Sequence, residues 1–450
     1  MNKFIFALAC SVGYCVTEVQ PTMAQSVCTL QQLKDSARQN NIATCVARHD
    51  IETAREQRKE AFTKFFPNVR ATSLTFNANK GTAKKTLHPS EMISPEMGAG
   101  LSQMLPAEAL AALSNPVSIS LLKNGTIAGV TATQPVFAGG QIINGNRLAK
   151  VGEDVALLQL RLSENEVEKT TEQYFWQLVS LQEKMKTVAA VDTMLRDIHK
   201  DVEVAVRAGV ALHNDLLQVE LRQNEVESKR LKLRNGISVV SLLLAQYCGL
   251  RDTCFVLSYD ADAVFTPLQQ DHQQALLATP EYQLLGKQVE ATKLQKQIEI
   301  GKNLPTVAVG AGYNYHTLLN HGHSFAMLFA TVSVPISDWW GGSHAIKRKK
   351  IAYLQAREQQ ADQAQLLTIR MQNAWNNVIE ARQQLAIARR SIEQAEENLR
   401  LHRNFYHAGT CKMSDLLEAQ LIYQQSRDSH TEAFADLQNK ILEYRQSIGE

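Results

Sequence analysis

Cysteine, proline and aromatic residues are all scarce in this chain of 450 residues. There are seven cysteines, five of them after position 24: Cys28, Cys45, Cys248, Cys254 and Cys411. An odd, dispersed set excludes a disulfide framework, and no Cys/His spacing matches a zinc site. Cys248 and Cys254 flank Gly-Leu-Arg-Asp-Thr, so they read equally as a small disulfide loop or as two separate thiols. Phe, Trp and Tyr make up only 6% of the chain, and the formal net charge is +2. A balanced charge excludes a dedicated nucleic-acid binder, which carries a basic patch. No stretch after residue 24 holds 18 consecutive apolar residues, so a membrane-spanning helix is excluded there. The longest uncharged run, Gly236 to Leu250, reads as a buried helix end. If the chain meets a membrane, it does so with strands.

The first residues do have a pattern. Lys3 is a short positive region, Phe4 to Val16 is apolar, and Thr22-Met23-Ala24 is a small-x-small cleavage site. Residues 1–24 therefore read as a signal peptide, and the protein as exported. Lipidation at Cys10 is the lesser reading, because its apolar run is too short.

Proline is absent between Pro135 and Pro267 and after Pro335. Those windows are free to be helical throughout, since proline breaks helix interiors. Glu, Gln, Ala, Leu, Lys and Arg fill them. In the first window, Leu178, Leu181, Met185, Val188, Val191, Leu195, Ile198, Val202 and Ala205 recur at spacings of three and four. That is a coiled-coil seam. Pro67 and Pro305 each end a helical pattern and open a strand pattern. Pro135 and Pro335 each end a strand pattern and precede a glycine pair and a helix. The residue before proline avoids the α region, so all four mark helix–strand junctions. After Pro305, Val307, Val309, Ala311, Tyr313 and Tyr315 alternate with small or polar residues. Period two of this kind suits a half-wet soluble sheet or a membrane barrel. Phe325 to Ile336 is the expected partner strand.

The chain also repeats itself. Ala208-Gly209 precedes Asp215-Leu216-Leu217, and 200 residues later Ala408-Gly409 precedes Asp415-Leu416-Leu417. Pro135 pairs with Pro335, and Phe175 with Trp375, at the same offset. Residues 25–250 and 251–450 are thus expected to be two structural repeats of helix, two strands, long helix, tight turn and helix. An insert rich in Pro, Met and Ser, about Asn79 to Asn124, lengthens the first. A long helix from about Ile142 to Arg207 would span ~100 Å. Shorter helices of ~35 and ~38 residues, stacked end to end, would match it. The second half repeats this with Ser343 to His407 against Asp271 to Lys302 and Ser414 to Ser447. The strands are expected at one height of such a wall and the Ala-Gly turns at its far tip.

In order and spacing, Gln-Pro-Val-Phe-Ala-Gly-Gly, Val-Pro-Ile-Ser-Asp-Trp-Trp-Gly-Gly and the two Ala-Gly turns resemble the TolC-type outer-membrane factors of Gram-negative bacteria. The resemblance covers essentially the whole mature chain. It implies a mixed, mainly α fold. Long coiled-coil helices would form a periplasmic α-barrel, and four strands per subunit would join a trimeric transmembrane β-barrel. It implies a homotrimer in outer-membrane lipid, working with a periplasmic adaptor and an inner-membrane transporter. Trp339 and Trp340 would anchor at the membrane interface. Gly209 and Gly409 would form the periplasmic tip turns. The family's gate tyrosine falls on Tyr406, its acidic gate positions on Asp415 and Glu418, and its facing polar pair on Asn214 and Asp215. Its gate arginine falls on Cys411, so that link is absent here.

No nucleophile, general base or phosphate loop stands out, so no enzyme and no cofactor is expected. His316, His321 and His323 fit either a metal site or a solvated loop. The loop is the reading adopted, and no metal is assigned. The expected function is an exit duct for small-molecule efflux. Type I protein secretion is the alternative within the class, and a periplasmic coiled-coil structural or adaptor protein the alternative outside it. The insert is expected to fold over the pore mouth.

Overall fold

In the computed structural model the described residues are 26–79, 83–87, 106, 108, 117–121, 124–251, 253, 255–260, 268–317 and 322–450. The signal segment, most of the insert with its expected place over the mouth, Cys254 and His321 lie outside them. The described elements run β1 (Ser26–Thr29), α1 (Leu30–Asn40), α2 (Ile42–Thr63), β2 (Asn68–Asn77), β3 (Ala83–Leu87), β4 (Val117–Leu121), β5 (Asn124–Ala138), α3 (Gln141–Arg207) and α4 (His213–Cys248). Then follow β6 (Phe255–Ser258), α5 (His272–Ala278), α6 (Pro280–Lys302), β7 (Thr306–His316), β8 (His323–Ser333), α7 (Asp338–His407) and α8 (Met413–Ser447). Two compact units result. One takes the chain up to Val46, Leu162–Ala275 and Thr368–Glu450; the other takes Ala47–Arg161 and Leu276–Leu367. Each draws on both sequence halves.

The first unit is helical. Thr29 caps α1: its hydroxyl accepts from Gln32 N, and the Gln32 side chain accepts from Thr29 N. The buried face of α1, Leu33 and Ala37, packs on Phe175, Trp176, Leu178 and Leu244. Lys34 sits against Glu168 (3.0 Å) and Glu172, and Trp176 Nε1 donates to Glu172 at 3.1 Å. Further along, Val188, Val191 and Leu195 meet Val226 and Leu233. Ile198 and Val202 then meet Val219, Met413 and Leu416. The apolar seam read from the sequence is the one buried. β1 and β6 add a short parallel pair, Ser26 opposite Phe255.

The second unit holds an antiparallel sheet of four strands, in the order β2-β5-β7-β8. Register assigns every residue to a face, because paired residues share one. Val69, Ala71, Val130, Ala132, Val309, Ala311, Tyr313, Tyr315, Leu328, Ala330 and Val332 share the first face, with Ser73, Gln134 and Ser324 among them. Its larger members are exposed, Leu328 at 88% and Val332 at 68%. Arg70, Thr72, Thr131, Thr133, Asn314, His316, His323 and Thr331 share the second, with Gly129, Gly310 and Gly312. Phe325, Met327 and Phe329 also lie there, the last over Gly310. β2 and β8 are the sheet's edges. In the helical part, Ile51 and Ala54 of α2 pack on Ala156 of α3, and Glu153 accepts from Arg55 (3.3 Å) and Arg58 (2.8 Å).

Several expected boundaries shift. The helix before Pro67 is two helices, broken at Asn41, whose backbone is extended (φ −67, ψ 136). Asn41 caps both: its N–H donates to Ala37 O, and its Oδ1 accepts from Ala43 N at 2.9 Å. The helix expected over 271–302 breaks likewise at Thr279, and Pro280 opens α6. That is the first-turn position where proline fits. α7 begins at Asp338 rather than 343, so Gly341 and Gly342 lie inside it, whereas Gly139 and Gly140 stand before α3 with φ of +59 and +76. Pro135 does not end its strand. β5 runs on to Ala138, and the register shift between Pro135 and Phe137 makes room for a proline in a central strand. β8 spans 323–333, not 325–336, so Pro335 follows its end. Cys248 is a free thiol in a buried site, pushed up to about 12 by burial and by Cys28 beside it.

Candidate functional site

The two Ala-Gly turns come together in the helical unit. Each helix ends where its glycine adopts the left-handed region, φ +74 at Gly209 and +75 at Gly409. Nothing lies near enough to obstruct a Cβ at either, so it is the backbone angle that requires glycine. The hydrogen bonds match. Gly209 N donates to Val206 O and Val210 N to Ala205 O; Gly409 N donates to Tyr406 O and Thr410 N to Phe405 O. These are the paired bonds of a Schellman ending. The return helices begin at His213 and Met413, again 200 residues apart.

The two aspartates differ in role despite the common motif. Asp215 Oδ2 accepts from Leu212 N at 3.2 Å, closing the start of α4. Asp415 accepts instead from Ser414 Oγ (3.0 Å) and faces Cys411 Sγ at 3.9 Å. Both carboxylates lie in a first turn, where the helix dipole favours negative charge.

A cavity of about 680 Å³ opens between the turns. Asn214, Asp215 and Tyr406 line it, together with Cys411, Lys412 and Asp201. Asp415 and Glu418 are exposed and stand outside its lining. The structure therefore brings three of the five gate positions to one space and leaves two on the adjacent surface. Asp201 was missed by the sequence reading. It lies beside the seam residue Val202, and only the neighbouring turn reveals that it faces a tyrosine. The Tyr406 ring packs on the Ile198, Val202 and Met413 cluster. Burial pushes its hydroxyl pKa up, and the charges of Asp215 and Asp201 push it further. Tyr406 is therefore a neutral hydrogen-bond donor beside two carboxylates. With Lys412 as the one lysine, the lining sums to one net negative charge (two Asp, one Lys). Such a lining attracts cations.

The other sequence-marked positions lie in the sheet-bearing unit. Pro67 and Pro305 directly precede β2 and β7. Gly139 and Gly301 are in backbone contact, so that a Cβ on Gly301 would stand 2.4 Å from Gly139 O. Gln141 Nε2 donates to Gly301 O at 3.2 Å across the same joint. Trp339 Nε1 donates to Asn303 O at 2.9 Å, and Trp340 projects with 81% of its surface exposed. No helix among the described residues is long and apolar enough to cross a membrane. No group of three or more His, Cys, Asp or Glu suited to a metal occurs among them either.

Residues 272–450 match the model of the family described as Outer membrane efflux protein. No curated protein matches the chain. Among solved structures, the chain is similar to CusC, at TM-score 0.77 and 12% identity, covering 93% of this chain and 92% of that one. It is similar to the outer-membrane channel OprN, at TM-score 0.75 and 16% identity, covering 93% and 89%. It is similar to VceC of Vibrio cholerae, at TM-score 0.72 and 14% identity, covering 93% and 96%. The resemblance to TolC-type outer-membrane factors is thus borne out in the fold along nearly the whole chain and in the sequence of its second half.

Proposed function

We propose that this chain is one subunit of a homotrimeric channel in the outer membrane of a Gram-negative bacterium, extending into the periplasm and serving as the passive exit duct of a tripartite efflux pump. The sheet carries this reading. β2, β5, β7 and β8 have 10, 15, 11 and 11 residues, enough to cross a bilayer. One face is mostly apolar and exposed, interrupted by Ser73, Gln134 and Ser324, and the other mixes polar side chains and glycines with Phe325, Met327 and Phe329. Two edges stand open, and lipid tolerates no open edge. Four strands are too few to close alone, so β2 of one copy must meet β8 of the next. Three copies of four strands would give a barrel of twelve.

In this reading the two halves, 25–250 and 251–450, descend from a tandem duplication. Residues 1–24 direct export. Trp339 and Trp340 sit at the membrane interface, and Pro67, Pro135, Pro305 and Pro335 mark the joints between strands and helices. The turns at Gly209 and Gly409 form the periplasmic end. Tyr406, Asp215 and Asn214 line the gate, with Asp415 and Glu418 beside it. Three-fold symmetry makes each acid a ring of three, which favours cations. A periplasmic adaptor and an energised inner-membrane transporter supply contact and force. The cargo is a small molecule, and the chain carries no catalysis. The family match and the channel relatives support this reading.

The test is the mass and membrane partition of the mature protein from separated envelopes. A detergent-stable trimer in the outer-membrane fraction is expected. A soluble monomer or dimer in the periplasm would replace the channel with a structural or adaptor role.

A further inference from the structure

The last pair of the β7–β8 ladder is His316 opposite His323, both on the polar face of the sheet. Their ring centroids are 5.7 Å apart with planes inclined at 43°, and Phe325 flanks His316 at 6.2 Å. His323 is exposed and His316 half-buried. His316 Nδ1 is buried and has no hydrogen-bond partner among the described residues. Burying a polar nitrogen unpaired is costly, so such an atom calls for a ligand or a role. An ion pair does not supply one, because none of the four strands contains an Asp or Glu. Two protonated imidazoles side by side would repel each other.

A metal ion meets both conditions. Bound to an imidazole nitrogen at about 2.0 Å, it lies about 3.2 Å from the ring centroid. With one nitrogen of each ring turned to a shared ion, two such arms spanning 5.7 Å would enclose an angle of about 125° at the metal. That is the angle of a bent two-imidazole chelate. A linear pair would need the centroids about 6.4 Å apart. Imidazole suits copper, zinc and nickel, and copper(II) leads the affinity order. We propose that His316 and His323 form a two-imidazole chelate for a divalent first-row transition ion, copper(II) most tightly, closing the end of the β7–β8 hairpin. The ladder places His316 and His323 at strand ends rather than in the loop between them.

Copper(II) titration of the full-length protein in detergent tests this, followed by electron paramagnetic resonance for nitrogen coupling. One site per chain with two-nitrogen coupling is expected at neutral pH. His323→Asn, at an exposed position, should weaken binding by about tenfold or more. His316→Ala should do the same, and the double variant should lose little beyond either single one. His407→Asn, in the helical unit, should bind as the wild type does. Unchanged affinity in His323→Asn, or equal loss in His407→Asn, would overturn the proposal.

Discussion

At Cys411 the thiol keeps its proton. Burial raises its pKa, and the neighbouring Asp415 charge adds to the effect by favouring an S–H donor over a second anion. Where the resemblance to outer-membrane factors places an arginine, this chain has a neutral group of short reach. No fixed cation stands at that position to face Asp415. The reactivity of Cys411 therefore reports on Asp415. The thiolate is the nucleophile, so a raised pKa means slow alkylation at neutral pH. Asp415→Asn removes the negative charge, lowers the thiol pKa toward its ordinary value and should speed maleimide labelling of Cys411 severalfold at pH 8. The other thiols are distinguished by peptide mapping. An equal or slower rate in the variant would show that Asp415 does not govern this thiol.

At the scale of elements, the joints are set by close backbone approach. Gly301 ends α6 against the turn at Gly139, and a Cβ there would meet Gly139 O at 2.4 Å and the Gln141 side chain at 2.9 Å. Backbone cannot yield as a side-chain tip can. Gly301→Ala should therefore cost about 1–3 kcal/mol, as overpacking does, read as a lowered midpoint in thermal or denaturant unfolding. An unchanged midpoint would mean that the joint flexes. The same joints explain what could be read in advance. Pro67 and Pro305 act through their own rings, so a sequence discloses them, and the alternation after Pro305 exposes β7 directly. Gly209 and Gly409 are legible because a left-handed helix ending wants glycine wherever it falls. Gly341 and Gly342 misled for the converse reason. They sit inside α7, and Gly342 matters because a Cβ there would collide with Asn303 Oδ1, a contact made only by folding. The break at Asn41 rests on tertiary bonds, among them Asn41 Nδ2 donating to Tyr247 O at 3.1 Å. Pro280 marks the matching break, in the first-turn position where proline is at home, yet the expected helix ran straight through it. β1 and β6 were invisible: four residues each, they pair across 229 positions and carry no alternation of their own. Of the tip, Asp215 and Asp415 could be placed by the repeated motif, and Tyr406 and Glu418 by the family resemblance. The inclusion of Asp201 in the cavity could not, because it depends on how α3 is rotated about its axis.

At the scale of the whole molecule, the tip cavity is a statement about one copy, and the proposed gate is a statement about three. Each copy offers Asp215 and Asp201 inside the cavity and Asp415 at its rim, with Tyr406 held neutral by burial and by the two interior acids. Multiplied by three around an axis, these carboxylates would hold cations at the narrow end and repel one another when the end closes. Removing one kind of acid from every copy therefore changes two things together: less cation attraction, and less repulsion against closure. Asp215→Ala also deletes the bond to Leu212 N, so it should loosen the start of α4 and cost about 0.5–2 kcal/mol of stability. Asp415→Ala loses no backbone cap, only the bonds from Ser414 Oγ and Cys411 Sγ and a negative charge in the first turn of α8. In planar bilayers, both variants should show reduced cation preference and weaker block by trivalent cations applied from the side bearing the tips. The Asp415 variant should do so with a smaller drop in unfolding midpoint than the Asp215 variant. Wild-type selectivity and block in both variants would take these aspartates out of the gate, and would leave Tyr406 and the hydrophobic seam at Val202 and Met413 as the contacts that close it.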